Sequence, residues 1–314
     1  MDAGGNPEAV FRRNSRSFSL AARLFARRDQ AAIARIYRFC RYLDDLADDT
    51  QTGDAQALDR VRCILTGEID VPPHSIEADF LALSKERRIP LPPALKLIAA
   101  LCNDCGPRSI KSPEELIQFA YGVAGTVGEL LRPVIDAQDD RAVAFAIDLG
   151  IALQLTNIVR DIAEDAARGR FYLPAEWVAP AVIQRALAAE ENAVVSVDEA
   201  VQRMLQLSEK YYESARRGFA YIPYPNRRVV FLAAALYQAI GKKVNRLGSG
   251  AWRQRTVLTL FEKVAVLGRS LAEYRRWQQH EWAQNPEPRH DPGLHAALGR
   301  DGFLRVQTSA SCMP

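Results

Sequence analysis

The sequence predicts an all-α protein. Apolar residues recur at intervals of three and four along most of its 314 residues, strand-like alternation is missing, and start and stop signals punctuate the periodic runs. In chain order, the periodicity predicts helices over about 29–49, 54–66, 75–87 and 93–104. Ser112-Pro113-Glu114-Glu115 is a capping box with proline at the first helical position, and it opens a helix to about Leu131. Helices over 139–166 and 175–190 follow. Ser196-Val197-Asp198-Glu199 has the pattern of a second capping box, opening a helix to about Phe219. The Pro223–Pro225 pair breaks the chain before a helix from Arg227 to Leu247, and a last helix spans 256–284. Residues 1–283 are expected to form one helical domain. Residues 284–314, rich in Pro, His, Gly and Ser and without apolar period, are expected to form a poorly ordered tail.

Composition narrows the function. Apolar residues make up 48% and charged residues 25%, ordinary for a soluble globular protein. A net charge of +3 is too small to argue for nucleic acid as a partner. No apolar run reaches the length of a bilayer span, and Met1 to Pro7 lack a charged-then-apolar signal layout, so a cytoplasmic location is expected. Five cysteines without such a signal argue for reduced thiols, and Cys102-x-x-Cys105 has no second pair or nearby His to complete a zinc site. With four histidines, three of them near the C-terminal end, a His-based metal or nucleophile site is not expected.

Chemistry is concentrated in two acidic stripes. In the segment from Tyr37 to Asp49, Asp44 and Asp48 lie one helical turn apart, with Arg41 and Tyr37 continuing the same face and Asp45 beside it. Like charges at that spacing repel. In the second, Gln154, Asn157, Asp161 and Asp165 fall at i, i+3, i+7 and i+11, flanked by Leu153, Leu155, Ile158, Val159 and Ile162. A carboxylate row on an otherwise apolar helix is costly unless its charge is neutralised. The alternative for either stripe alone is a solvated acidic face. Together, each with an adjoining arginine, they point to a hard cation, because the ligands are all oxygen. Magnesium commonly joins a few carboxylates to substrate phosphates, so two facing stripes form a clamp for a diphosphate.

At these residues the chain resembles the squalene/phytoene synthase family, over roughly residues 10–275. Asp44-Asp45-Leu46-Ala47-Asp48 resembles the family's first motif, and Asn157 to Asp165 its second. Tyr121 to Gly128 resembles the central pocket-lining helix, Asn14 to Phe18 the N-terminal substrate-binding segment, and Arg170 to Pro174 the stretch after the second motif. The resemblance implies an isoprenoid-synthase-type helical bundle with a central cavity and head-to-head (1-1′) condensation of two prenyl diphosphates, farnesyl or geranylgeranyl, in carotenoid biosynthesis. It implies magnesium, with manganese as a substitute, on Asp44, Asp48, Asn157, Asp161 and Asp165. Asp45, Arg41 and Tyr37 join the catalytic set. Ser15, Arg16, Ser17, Phe18, Phe119, Val123, Gly125, Gln154, Arg160, Arg170, Tyr172, Tyr237 and Arg255 are the expected substrate contacts.

Gly122, Gly125 and Gly128 suit a cavity wall, with close helix packing as the alternative. Where the family usually has a tyrosine two positions before Tyr121, this chain has Phe119, which keeps the ring and loses the hydroxyl. Arg12, Arg13, Arg16, Arg23, Arg27 and Arg28 suit either diphosphates or an anionic membrane surface, or form a solvated basic face. A phytoene-type product needs no reductant, whereas squalene needs NADPH, and no GxGxxG signature is present. Squalene or presqualene diphosphate formation, head-to-tail elongation on the Asp44-x-x-x-Asp48 pattern, and a non-catalytic relative serving in assembly are the competing readings. Peripheral contact with the inner membrane face, for product release, and monomer or homodimer stay open.

Overall fold

The computed structural model describes residues 25–48, 55–282, 284 and 287–299. Within them the architecture is helical. α1 (Arg27–Asp48), α2 (Ala55–Thr66), α3 (Ile76–Arg87) and α4 (Pro92–Cys102) are followed by a two-residue strand, β1 (Arg108–Ser109). Next come α5 (Pro113–Ala120), a π-helical turn (Tyr121–Gly125), α6 (Thr126–Leu131) and α7 (Ala142–Ala167). After β2 (Arg170–Phe171) come α8 (Pro180–Leu187), α9 (Glu191–Gly218), α10 (Asn226–Leu247) and α11 (Leu260–Trp277). The expected helices are therefore present, with ends shifted by a few residues.

α1 forms because Ile33, Ile36, Phe39, Cys40, Leu43 and Ala47 make one buried face. That face packs on α2, α3, α4 and α6, with Phe39 stacked on Phe80 at 3.9 Å. The first acidic stripe is left on its flank. α7 is held more firmly, with Ile151, Leu155, Ile158, Val159 and Ile162 all buried in the second core, against α8 and α9. Each such side chain contributes about 1.5–3 kcal/mol, which offsets the cost of carrying Asp161 and Asp165. α7 is long and apolar enough to cross a membrane by length and composition alone, but most of it is buried inside the protein.

The Ser112 cap forms as expected: its hydroxyl accepts from the Glu115 amide, 3.3 Å. The Ser196 cap does not. α9 begins at Glu191, and Ser196 lies inside it, donating to the Asn192 carbonyl four residues back. The apolar row simply continues upstream through Ala193 and Val197. Asp198 serves another element, accepting from the Gly250 amide and the Trp252 indole at 3.0 and 2.8 Å. The true reciprocal box is Thr259 with Glu262, and it starts α11 four residues later than the periodicity predicts.

The expected loose tail differs too. Residues 287–299 pack on the bundle, with a 3₁₀ helix at Pro292–Leu298. His290 and His295 each place Nε2 on the wholly buried Asp148 carboxylate, at 2.9 and 2.8 Å. Composition alone does not disclose that a buried aspartate 142 residues earlier awaits them. Burial pushes Asp148 upward, but the imidazole hydrogen bonds, with Ser214 and the His295 charge, more than offset this and hold it below its usual value. A depressed folded-state pKa stabilises above the unfolded carboxylate range and is lost as pH falls through the folded value, so the fastening should weaken only below about pH 4. Asp148→Asn is expected to cost about 2 kcal/mol at neutral pH, measured by thermal unfolding. No loss of stability would show that the contact is incidental.

Candidate active site at the mouth of the cavity

A cavity of about 300 Å³ runs between α1, the π turn and α6, α7, α9 and α10. Its body is apolar: Ile33, Val123, Val127, Leu149, Leu153 and Val230 line it, with the rings of Phe25, Phe145 and Phe219. One end is polar, where Tyr37 from α1, Gln154 and Asn157 from α7, and Tyr237 from α10 meet. The two acidic stripes lie on these same two helices, α1 and α7.

The carboxylates and arginines there are paired across the sequence. Arg170 Nη1 lies 2.7 Å from Asp48 Oδ1, joining β2 to α1, and Arg168 is 3.7 Å from the other oxygen. Arg160 holds Asp161 with two nitrogens, at 2.9 and 2.5 Å. Arg255 reaches back to Glu164 at 2.6 Å and Asp161 at 3.5 Å. Arg41 pairs with Asp45 one turn along α1, at 2.5 Å. Asp44 and Asp165 are the costly members. Burial, with Asp48, Asp45 and Asp104, pushes Asp44 up to about 7 against the pull of Arg41. Burial and Asp161 push Asp165 up to about 7 against Arg168 and Arg170. Burial likewise raises the Tyr37 hydroxyl to about 12.

This donor set fits divalent cations. Asn157 Oδ1 is buried with no donor, and Arg41 Nε is buried with no acceptor. An orphaned amide oxygen beside carboxylates that resist ionisation is what a hard cation would satisfy. An unpartnered guanidinium N–H suits a phosphate oxygen.

Sequence reasoning missed Asp104 and Arg108. Asp104 is buried, accepts the Tyr172 hydroxyl at 2.7 Å, lies 3.4 Å from Arg108, and is close enough to raise both Asp44 and Asp165. The parallel pairing of β1 with β2 puts Arg108 opposite Arg170. Neither residue sits in a periodic helix, so no local pattern marks it.

Phe119 is not on the cavity wall. It stacks on Tyr172 at 4.7 Å, beneath the Arg108 guanidinium, and borders a separate pocket with Asn103, Glu115 and Gln118. Tyr121 does not take over its missing hydroxyl in the cavity, since its own is engaged by Lys96 and Glu129, both at 3.0 Å. Gly125 also leaves the wall: a Cβ there would meet the Tyr121 ring at 2.7 Å. Val123, Gln154, Asn157 and Tyr237 do line the cavity. Ser15, Arg16, Ser17 and Phe18 lie outside the described residues.

The squalene/phytoene synthase family profile matches residues 11–262. The chain belongs to this family. Its members are prenyltransferases, and the chain is an enzyme of that type. It is similar to a 15-cis-phytoene synthase of Enterobacter agglomerans, 30% identical over 264 residues, covering 81% of this chain and 90% of the relative. A phytoene synthase of Pseudescherichia vulneris is 32% identical over 269 residues, covering 81% and 86%. Among solved structures, a dehydrosqualene synthase shares the fold with a TM-score of 0.72 at 24% identity, covering 86% of this chain and 95% of that one. A squalene synthase from Alicyclobacillus acidocaldarius gives 0.65 at 25%, covering 77% and 94%.

Proposed function

We propose that the chain joins two prenyl diphosphates head to head in carotenoid biosynthesis, as a phytoene-type synthase that needs no reductant. The observation that carries this reading is two carboxylate helices opening on one apolar cavity. The names of its relatives agree with it.

Asp44, Asp48, Asn157, Asp161 and Asp165 would hold magnesium, which when bound supplies charge neutralisation at the leaving diphosphate. Arg41, Arg160, Arg170 and Arg255 then donate to phosphate oxygens, having been set in place by their carboxylate partners. Loss of diphosphate leaves an allylic cation on one chain; the double bond of the second attacks it, and the resulting cation loses a proton as it closes to a cyclopropyl diphosphate. Departure of the second diphosphate, rearrangement of the new cation and loss of a proton complete a product that needs no reductant. The apolar wall excludes water, which would otherwise quench the cation, and the Tyr37, Phe145 and Phe219 rings offer π-faces to the charge. Substrate chains of fifteen or twenty carbons are the candidates.

The test is incubation of the purified protein with magnesium and farnesyl or geranylgeranyl diphosphate, with and without NADPH, with products identified by mass spectrometry. A C30 or C40 hydrocarbon formed without NADPH is expected. Squalene formed only with NADPH would replace this reading with a squalene synthase. No turnover of either substrate would leave a non-catalytic relative.

A further inference from the structure

Among the described residues, the outer face of α11 is apolar and uncovered. Phe261 is 82% exposed and Leu260 74%, with Val257, Val264 and Leu271 also exposed beside them. A Cβ at Gly268, on the same row, would meet nothing within 4 Å. At 100° per residue, Phe261, Val264, Gly268 and Leu271 form one stripe, which Arg275 continues. The opposite face, through Val266, Ser270, Tyr274 and Trp277, is the buried one. Ala272, Arg269 and Arg276 widen the exposed arc, and the exposed Glu273 lies only at its far edge, beyond Arg269. The helix's two acids, Glu262 and Glu273, are each about half a turn from Val264, and Glu262 is taken up by Lys243 and Arg246. From Lys242 to Arg276 the sequence has nine Lys or Arg against two acids.

We propose that this face of α11 docks the protein on an anionic lipid surface. An apolar stripe edged with arginine, on a helix of otherwise modest hydrophobicity, is the pattern of a helix lying in the membrane interface. Charge weighs against two other covers. Two copies meeting through the stripe would set Arg269, Arg275 and Arg276 against their equals. Residues 1–24 of the chain are themselves basic, four arginines against two acids, and gain nothing from this arc. An acidic lipid layer satisfies both the apolar row and the arginines. Position fits use: α11 packs on α10, which carries Val230, Ala234 and Tyr237 of the cavity wall. That last link rests on the proposed condensation, whose product is lipophilic; the docking itself does not.

The test is flotation of substrate-free protein with vesicles of phosphatidylcholine alone or with about one third phosphatidylglycerol. Binding to the anionic vesicles, weakened by salt, is expected. Phe261→Ser with Val264→Ser should weaken it at least tenfold at unchanged melting temperature and unchanged turnover in detergent. Arg275→Glu with Arg276→Glu should weaken it comparably and flatten the salt dependence. Failure of the wild type to bind either vesicle, or wild-type binding by both variants, would overturn the proposal. So would a solution dimer that the apolar variant splits. Since no substrate is present, none of these outcomes touches the condensation reading.

Discussion

Asp44→Asn is expected to lower turnover about a thousandfold while making the ligand-free protein more stable. On the proposed chemistry, the rate effect follows from weakening the magnesium that Asp44 would hold at the departing diphosphate, where one lost electrostatic partner typically costs a factor of 10²–10³ in kcat. The stability effect follows from burial. The Asp44 carboxyl is pushed to about 7, so between the unfolded carboxylate range and pH 7 the folded state binds more protons than the unfolded one. Wild-type stability therefore falls as pH rises through that window, and the penalty is complete above it. Asparagine carries no charge and escapes it, at the cost of burying a polar amide. In EDTA the variant should gain on the order of 1–2 kcal/mol at pH 8 and little at pH 4. Calorimetry at the two pH values, with a pyrophosphate-release assay, reads both effects. A variant with near-normal turnover, or one destabilised at pH 8, would refute the view of Asp44 as a strained cation ligand.

The second large effect is expected at Gly150. A Cβ there would lie 2.2 Å from the Ala124 carbonyl oxygen and 2.6 Å from its carbon. Gly128 is the reciprocal case, with its Cβ 2.2 Å from the Ala146 oxygen. These are backbone atoms of the π turn, α6 and α7, so no side chain can rotate out of the way. The two segments must separate, and they form one wall of the cavity. Gly150→Ala gains about 1 kcal/mol of helix propensity and is still expected to lose about 3 kcal/mol net, lowering Tm by about 6–12 °C. A melting temperature within 2 °C of wild type would mean the segments part freely. The glycines therefore serve close helix contact first. Only Gly128 of the expected trio is also recorded on the cavity wall.

What was legible in the sequence follows from how far each signal reaches along the chain. The acidic stripes announce themselves because helical spacing is local: Asp44 and Asp48, or Asn157, Asp161 and Asp165, need only their own helix to share a face. The fold class follows from the same periodicity. Asp104 and Arg108 were invisible because a turn and a two-residue strand bring them in, and only the pairing with β2 gives them meaning. Phe119 was assigned to the cavity by its place in a motif, yet the π turn that follows it gives the chain a different phase, and the ring ends on Tyr172. The C-terminal histidines needed Asp148, and the cap motif at Ser196 was outvoted by an apolar row that runs straight through it.

The ion pairs at the mouth have one further consequence. Arg41, Arg160, Arg168, Arg170 and Arg255 are each engaged by a carboxylate, and Asp44, Asp45, Asp48, Asp161, Glu164 and Asp165 outnumber them. Among the described residues, an anion arriving alone meets more carboxylates than guanidiniums and, beyond the open Arg41 Nε, must draw an arginine from its partner. A cation arriving alone meets Asp44, Asp165 and the Asn157 oxygen, but gains Asp48 or Asp161 only by displacing a guanidinium. When both arrive, each takes the partner the other releases, so each raises the other's affinity by the same factor. If the mouth binds as proposed, it would favour phosphate and metal arriving together over either alone.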